Sequence, residues 1–239
     1  MLSYIFFNNK NSYKDLNLAI TNISSLPIPT EKTEEIEVED RNGSLTVKTG
    51  VYEDLKFEIK FRITKHKNDW DTIHQIAQWV NNIEDNNLCF SFRPDKCYKV
   101  KNVQMNDLSR KLNYFNSFEL KFICEPFLND IHEFTYELKS NERNYHLIYY
   151  NGDLPGECNL KIYGNGNIQL TINNETVQIN NVNEYVELDS KLLLCLNKDK
   201  TSKTRDMIGH FPLLVPGYNA ISWNGNISKI ELLPRTIYI

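Results

Sequence analysis

Five apolar side chains, Leu55, Phe57, Ile59, Phe61 and Ile63, alternate with Lys56, Glu58, Lys60 and Arg62. Strict period-two alternation over this length marks a strand buried on one face, since a helix would scatter these five residues around its axis. Phe118, Leu120, Phe122 and Cys124 repeat the pattern, with Ser117, Glu119 and Lys121 between them. Aromatic residues make up 12% of the chain, and flat side chains pack well on a pleated surface. The chain therefore reads as mainly β.

Around these two strands the first half falls into order. A short strand is expected to start almost at residue 1, and Pro27 and Pro29 around Ile28 require an extended connection. Glu35 to Glu39 and Leu45 to Lys48 alternate on either side of Asp40-Arg41-Asn42-Gly43-Ser44. Asn-Gly between alternating flanks predicts a hairpin, because both residues tolerate positive φ. The first arm holds six acids, Glu31, Glu34, Glu35, Glu37, Glu39 and Asp40, against one lysine. Such a run suits a solvated strand and discourages stray edge pairing. One helix is predicted from about Asp69 to Ile83, with Trp70, Ile73, Ile76, Ala77, Val80 and Ile83 on one face and Asn68 or Asp69 as its cap. Strands return over Leu88–Phe92, Lys96–Met105 and Ser117–Cys124, and Glu125-Pro126-Phe127 interrupts the last.

The second half carries no clear helix. Candidate strands lie at 134–138, 145–150, 159–163, 168–172, 176–179, 185–188, 192–196, 220–223 and 227–233. Turn signals at this spacing suggest a β-sandwich or barrel. Asn165-Gly166-Asn167 and Asn224-Gly225-Asn226 read as two hairpin turns of the same chemistry. Two domains are expected, over residues 1–130 and 131–239.

A formal charge of -4 argues against a protein whose main partner is nucleic acid. There is no apolar run long enough for a membrane helix. MLSYIFFNNK has neither a basic lead nor a cleavage site and reads as the start of a strand. The five cysteines, Cys89, Cys97, Cys124, Cys158 and Cys195, include no C-x-x-C pair and read as buried thiols. His66, His74, His132, His146 and His210 show no metal or catalytic spacing, and no H-E-x-x-H, G-x-S-x-G or P-loop motif is present. The chain is thus expected to be no enzyme and to need no cofactor or metal. Tyr149, Tyr150, Tyr163, Tyr185 and Trp223 are the aromatic candidates for stacking on a glycan, set against the plainer reading of core or rim residues.

Taken in order, several short motifs resemble the siphophage distal tail protein (Dit) family over essentially the whole chain. They are VEDRNGSL at Val38–Leu45, Asp69-Trp70 to Trp79-Val80, FSFRPD at Phe90–Asp95 with Tyr98, CEPF at Cys124–Phe127, PGYNAISWNG at Pro216–Gly225 and LPR at Leu233–Arg235. Glu39 stands where the family often has glycine, and Asn42 replaces an acid. The resemblance implies a ring-forming hub, usually hexameric, between tail tube and tip. It implies a tail-tube-like β-sandwich N-terminal domain around a DNA channel and an outward-facing, galectin-like β-sandwich C-terminal domain. The implied partners are copies of itself, the tail tube protein, a tail-tip protein and a receptor-binding protein, in a virion tail made in the bacterial cytoplasm. DNA would pass without sequence-specific binding, and no membrane is involved. Within that frame Arg41, Asn42, Gly43 and Ser44 are the candidate ring-assembly residues, together with edge strands of the first domain. The six acids of the arm are candidates to face the channel and repel phosphates. The alternative function is a carbohydrate-binding β-sandwich module for attachment to a host surface.

Overall fold

The computed structural model describes residues 3–65, 69–105, 117–140 and 144–239. The proposed cap at Asn68, along with His66, lies outside these residues, as do the side chains of Asp69 and Trp70. The chain divides into two compact units, Met1–Ile131 with Ile239, and His132–Tyr238.

In the first unit the strands are β1 (Ile5–Phe7), β2 (Lys10–Asn11), β3 (Leu18–Ile23), β4 (Glu31–Ile36), β5 (Leu45–Tyr52), β6 (Leu55–Ile63), β7 (Asn87–Phe90), β8 (Arg93–Met105) and β9 (Ser117–Asp130), with helix α1 (Asp69–Asn81) between β6 and β7. Seven of the strands form one sheet in the order β2-β1-β7-β8-β9-β6-β3, while β4 and β5 pair only with each other. On β6 the five alternating residues are all buried and the four between them exposed. β9 pairs with it in unbroken register from Leu55↔Cys124 to Arg62↔Ser117. β9 also runs on through Glu125-Pro126-Phe127, where an interruption was expected. The register against β8 shifts there, from Val100↔Cys124 to Tyr98↔Leu128. Pro126 thus sits in a bulge, where its missing N–H costs no ladder bond.

Helix α1 lies on the aromatic core of this sheet. Ile76, Trp79 and Val80 are buried, and the Trp79 ring meets Phe7 at 5.6 Å and Phe61 at 6.3 Å edge-on. Trp79 Nε1–H donates to Phe7 O at 2.8 Å. The helix ends on Asn8, whose amide donates to Trp79 O and Asn82 O at 2.7 and 2.6 Å while its Oδ1 accepts from Glu84 N–H at 2.9 Å. One side chain thus satisfies carbonyls that every helix end leaves free. Asn8 and Asn9 form the tight β1–β2 turn with φ of 48° and 59°, a conformation asparagine tolerates.

The second unit comprises β10 (Tyr136–Lys139), β11 (Tyr145–Tyr150), β12 (Gly156–Ile172), β13 (Glu175–Val182), β14 (Tyr185–Asp189), β15 (Leu194–Asn197), β16 (Met207–Ile208), β17 (Leu213–Leu214) and β18 (Gly217–Pro234). Its spine is the long antiparallel pair β12 and β18. β10 and β11 line up along the free side of β18, and β13, β14 and β17 lie along β12. Leu160, Ile162, Ile168, Leu170, Ile221, Trp223, Ile230 and Leu232 of the spine share one core with residues of the flanking strands.

The two expected turns at Asn165-Gly166-Asn167 and Asn224-Gly225-Asn226 are not turns. Each lies inside a continuous strand, and the two segments face each other across the spine as a bulge, with the register passing from Asn165↔Asn226 to Gln169↔Asn224. Gly166 and Gly225 have φ of 81° and 100°. The positive φ that signals a hairpin turn also serves a bulge, and the sequence pattern is the same for both. Four candidate strands are therefore halves of two long ones.

All five cysteines are buried and free. Burial pushes the thiols of Cys124 and Cys158 up to about 12 and that of Cys195 up to about 11.

Candidate functional site

The β4–β5 hairpin is the least buried part of the first unit. Every residue from Lys32 to Val51 is exposed, and the pair has no third strand. Its register places Ile36 opposite Leu45, Glu34 opposite Val47, Glu35 opposite Thr46 and Thr33 opposite Lys48. Opposite residues share a face, so Glu34, Ile36, Leu45 and Val47 line one side and Thr33, Glu35, Thr46 and Lys48 the other. Ile36, Val38, Leu45, Val47 and Val51 are large apolar side chains left in solvent. Gly50, at φ 73°, makes a bulge near the base; its N–H donates to Glu31 Oε1 at 2.9 Å, and Lys48 Nζ lies 3.3 Å from the same carboxylate. At the base, Tyr52 packs edge-on against Phe127 at 4.9 Å.

The strand ends at Ile36, earlier than the alternation to Glu39 suggested, and the connection runs through 37–44 rather than through a two-residue turn. Asp40 and Gly43 supply its positive φ angles, 60° and 82°. Glu37, Glu39, Asp40, Arg41, Asn42, Gly43 and Ser44 form this exposed loop. The six acids do not share a face: Glu31 is held at the base, Glu34 and Glu35 point to opposite sides, and Glu37, Glu39 and Asp40 lie in the loop.

Two outer surfaces of the second unit differ in chemistry, and the spine bulge marks the border. On one side of it, β10, β18, β12, β14 and the turn after β15 present a dense charged ladder. Lys229 Nζ pairs with Glu231 at 2.8 Å and Glu137 at 3.6 Å, and Lys200 with Glu187 at 2.6 Å. Tyr163 and Tyr185 stand within it: Lys161 Nζ lies 4.1 Å from the Tyr185 ring centroid, Lys229 Nζ lies 4.6 Å from that of Tyr163, and Tyr163 OH donates to Glu231 at 3.1 Å. These hydrogen bonds and the attraction of Lys229 hold the Glu231 carboxyl below its usual range, burial acting against them.

On the other side of the bulge, β11, β18, β12 and β13 turn outward only neutral residues. β11 contributes Tyr145, Leu147 and Tyr149, exposed by 48, 55 and 52%. Tyr218 is opposite Tyr149, and Ser222 is opposite Tyr145. Thr171 pairs with Ser222 and Gln169 with Asn224, and Thr176 and Gln178 extend the rows onto β13. Thr171 and Thr176 share a hydroxyl hydrogen bond of 3.0 Å, and Gln178 donates to Asn180 at 3.0 Å. Of the aromatic candidates from the sequence, Tyr149 alone belongs to this face. Trp223 and Tyr150 are core residues, exposed by 3 and 2%; His146 stacks on Trp223 at 5.3 Å, and Tyr150 OH donates to Arg235 O at 3.2 Å. Tyr145 and Tyr218 were missed, although Tyr145-His146-Leu147-Ile148-Tyr149 alternates as a half-buried strand does.

No group of three or more His, Cys, Asp or Glu side chains among the described residues is arranged to hold a metal ion. A two-bond ion pair closes one end of the spine, where the start of β12 meets the end of β18: Arg235 grips Asp189 with two bonds of 2.7 Å, and the same carboxylate accepts from Lys191 and Leu192 N–H, each at 2.9 Å. Burial works against the Asp189 charge, but these bonds outweigh it and hold the carboxyl below its usual range. In the first unit, an apolar pocket of about 320 Å³ opens between Tyr4, Phe6, Cys89, Phe90, Pro94 and Ile131.

A search of curated proteins returns no match. Among solved structures, the fold matches the crystal structure of SPP1 Dit (gp 19.1), described as a paradigm of hub adsorption apparatus in Gram-positive infecting phages. The TM-score is 0.72 at 8% identity, over 98% of this chain and 99% of that one. The phage p2 baseplate in its activated conformation with Sr aligns at a TM-score of 0.49 and 8% identity, over 98% of this chain and 97% of that one. No helix among the described residues is long and apolar enough to cross a membrane. Residues 6–124 match the family model of the phage tail protein RIFT-related domain. Residues 6–124 thus belong to this family of phage tail domains, and the chain as a whole shares the fold of SPP1 Dit, as its ordered motifs led one to expect.

Proposed function

We propose that the chain is a structural hub of the virion tail, closing with copies of itself into a six-membered ring that joins the tail tube to the tip and leaves a channel for DNA. The observation that carries this reading is the β4–β5 hairpin. A two-stranded ribbon is marginal in water, and this one exposes Ile36, Leu45 and Val47 on a single face. A neighbouring copy is the natural cover. Identical subunits that meet through two different surfaces close into a ring when the rotation permits. Arg41, Asn42, Gly43 and Ser44, at the hairpin tip, are the leading assembly residues.

Residues 1–130 are the tube-like, ring-forming part in this reading. Residues 131–239 face outward as a galectin-like domain and carry tail-tip or receptor-binding proteins. The acids Glu35, Glu37, Glu39 and Asp40, all in solvent and off the apolar face, give the ring a negative lining that phosphates slide past without sticking. The role is structural and not catalytic, in line with the family.

Native mass spectrometry and negative-stain microscopy of the purified protein test the proposal. Six-fold rings with a pore are expected. Val47→Glu on the apolar face should abolish them without unfolding the monomer, since that residue is exposed in the single chain. A strict monomer at high concentration, or rings indifferent to Val47→Glu and to an Arg41–Ser44 deletion, would overturn it.

A further inference from the structure

We infer that the neutral outer face of β11, β18, β12 and β13 binds an uncharged polysaccharide, with Tyr145, Tyr149 and Tyr218 as the stacking platform. About a quarter of the chain is charged, 24%, and the other half of the same spine is covered with ion pairs. A face spanning four strands with only Tyr, Leu, Ala, Ser, Thr, Gln and Asn pointing outward therefore stands apart.

The chemistry of this face matches one class of ligand. Sugar rings offer apolar C–H faces and a rim of hydroxyls, each both donor and acceptor. Tyrosine rings cover the first, with little conformational entropy lost. Amides and hydroxyls such as Gln169, Gln178 and Thr171 match the second, because they too carry donors and acceptors. Fixed charges would have to be stripped of water to meet a neutral ligand, and none is among the described residues that these four strands turn outward here. Tyr149 and Tyr218 meet edge-on at 5.1 Å and each remains more than half exposed. Tyr145 lies four residues along the strand from Tyr149, roughly 13 Å away, so the platform suits an extended chain of several sugars better than a single one. Tyr163 and Tyr185 do not qualify, because lysines already lie against their rings.

Affinity electrophoresis of the full-length protein provides the test. Native gels carry dextran, barley β-glucan or galactomannan as neutral probes and dextran sulfate as the charged control. The expected result is retardation by at least one neutral polysaccharide and none specific to dextran sulfate. The Tyr149→Ala/Tyr218→Ala double variant should lose roughly tenfold in affinity, with an unchanged melting temperature, while Tyr163→Ala migrates as wild type. Absence of retardation in all three neutral gels overturns the inference. So does retardation that survives the double variant, or retardation by dextran sulfate alone. A double variant that migrates normally but no longer co-assembles with other tail proteins would make the face a protein-docking surface and also overturn it. Ring formation is read separately by native mass spectrometry and does not depend on this outcome.

Discussion

The paired bulge in the β12–β18 spine allows a controlled test of how this fold is set. Gly166 and Gly225 occupy it together, both at positive φ, 81° and 100°. Their surroundings differ. A methyl group on Gly166 meets nothing within 4 Å, whereas one on Gly225 falls 2.6 Å from Asn167 O and 3.1 Å from Ile168 Cα, both backbone atoms of the facing strand. Gly166→Ala therefore suffers only the left-handed backbone penalty, about 1–2 kcal/mol. Gly225→Ala adds a clash that no side chain can relieve by changing rotamer, and overpacking of that kind costs about 1–3 kcal/mol more. The total for Gly225→Ala is then about 3 kcal/mol, roughly twice the cost at Gly166. Hydrogen exchange in graded urea, followed on peptides spanning 156–172 and 217–234, reads the second unit without interference from the first. Equal costs at the two glycines would refute the steric account. A Gly225→Ala change of less than about 0.5 kcal/mol, the range of an ordinary surface substitution, would refute the bulge itself.

The Asp189–Arg235 pair makes the second unit sensitive to acid. The native carboxyl titrates below its unfolded value, so its contribution is full above pH ~4 and fades as the pH falls through the native pKa. Asp189→Asn should flatten the loss of stability below pH 4 in urea titrations, and at pH 7 should cost about 2–3 kcal/mol by stranding Arg235; an unchanged acid limb would count against the pair. In the first unit, Asn8→Ala removes the amide that closes α1 and leaves Trp79 O, Asn82 O and the Glu84 N–H without it, an expected cost of about 2–3 kcal/mol. Hydrogen exchange faster at the end of α1 than in β6 and β9 would locate the damage, and uniform protection would contradict it.

β6 and β9 were readable because one face of each strand is buried and the other wet, so burial wrote itself into the residue order. α1 was readable as a helix, yet its largest buried side chain, Trp79, was not placed on the apolar face. The indole reaches the core by donating to Phe7 O, a partner 72 positions away. The Asn-Gly segments at 165–167 and 224–226 announced positive φ correctly but not its use, since turn and bulge ask the same thing of the backbone. The hairpin at 31–52 showed its alternation, but Ile36, Leu45 and Val47 signalled burial that the single chain does not provide. The neutral face was the least legible feature. Tyr145, Thr171 and Gln178 lie far apart in sequence, and only the register of β11, β18, β12 and β13 brings them to one surface.

The sealed thiols bear on the life of the particle. A tail protein is made in a reducing cytoplasm and then works outside the cell, in air and among oxidants. Thiolates react, thiols far less, and burial holds Cys124, Cys158 and Cys195 as thiols well above any pH the virion meets. These three sulfurs thus cross from one redox world to the other as unreactive thiols, whereas the Cys97 thiol is held below its usual range by its hydrogen bond with Cys89 and by Lys99. At these three positions the covalent structure made in one compartment carries over to the next, protected by packing alone.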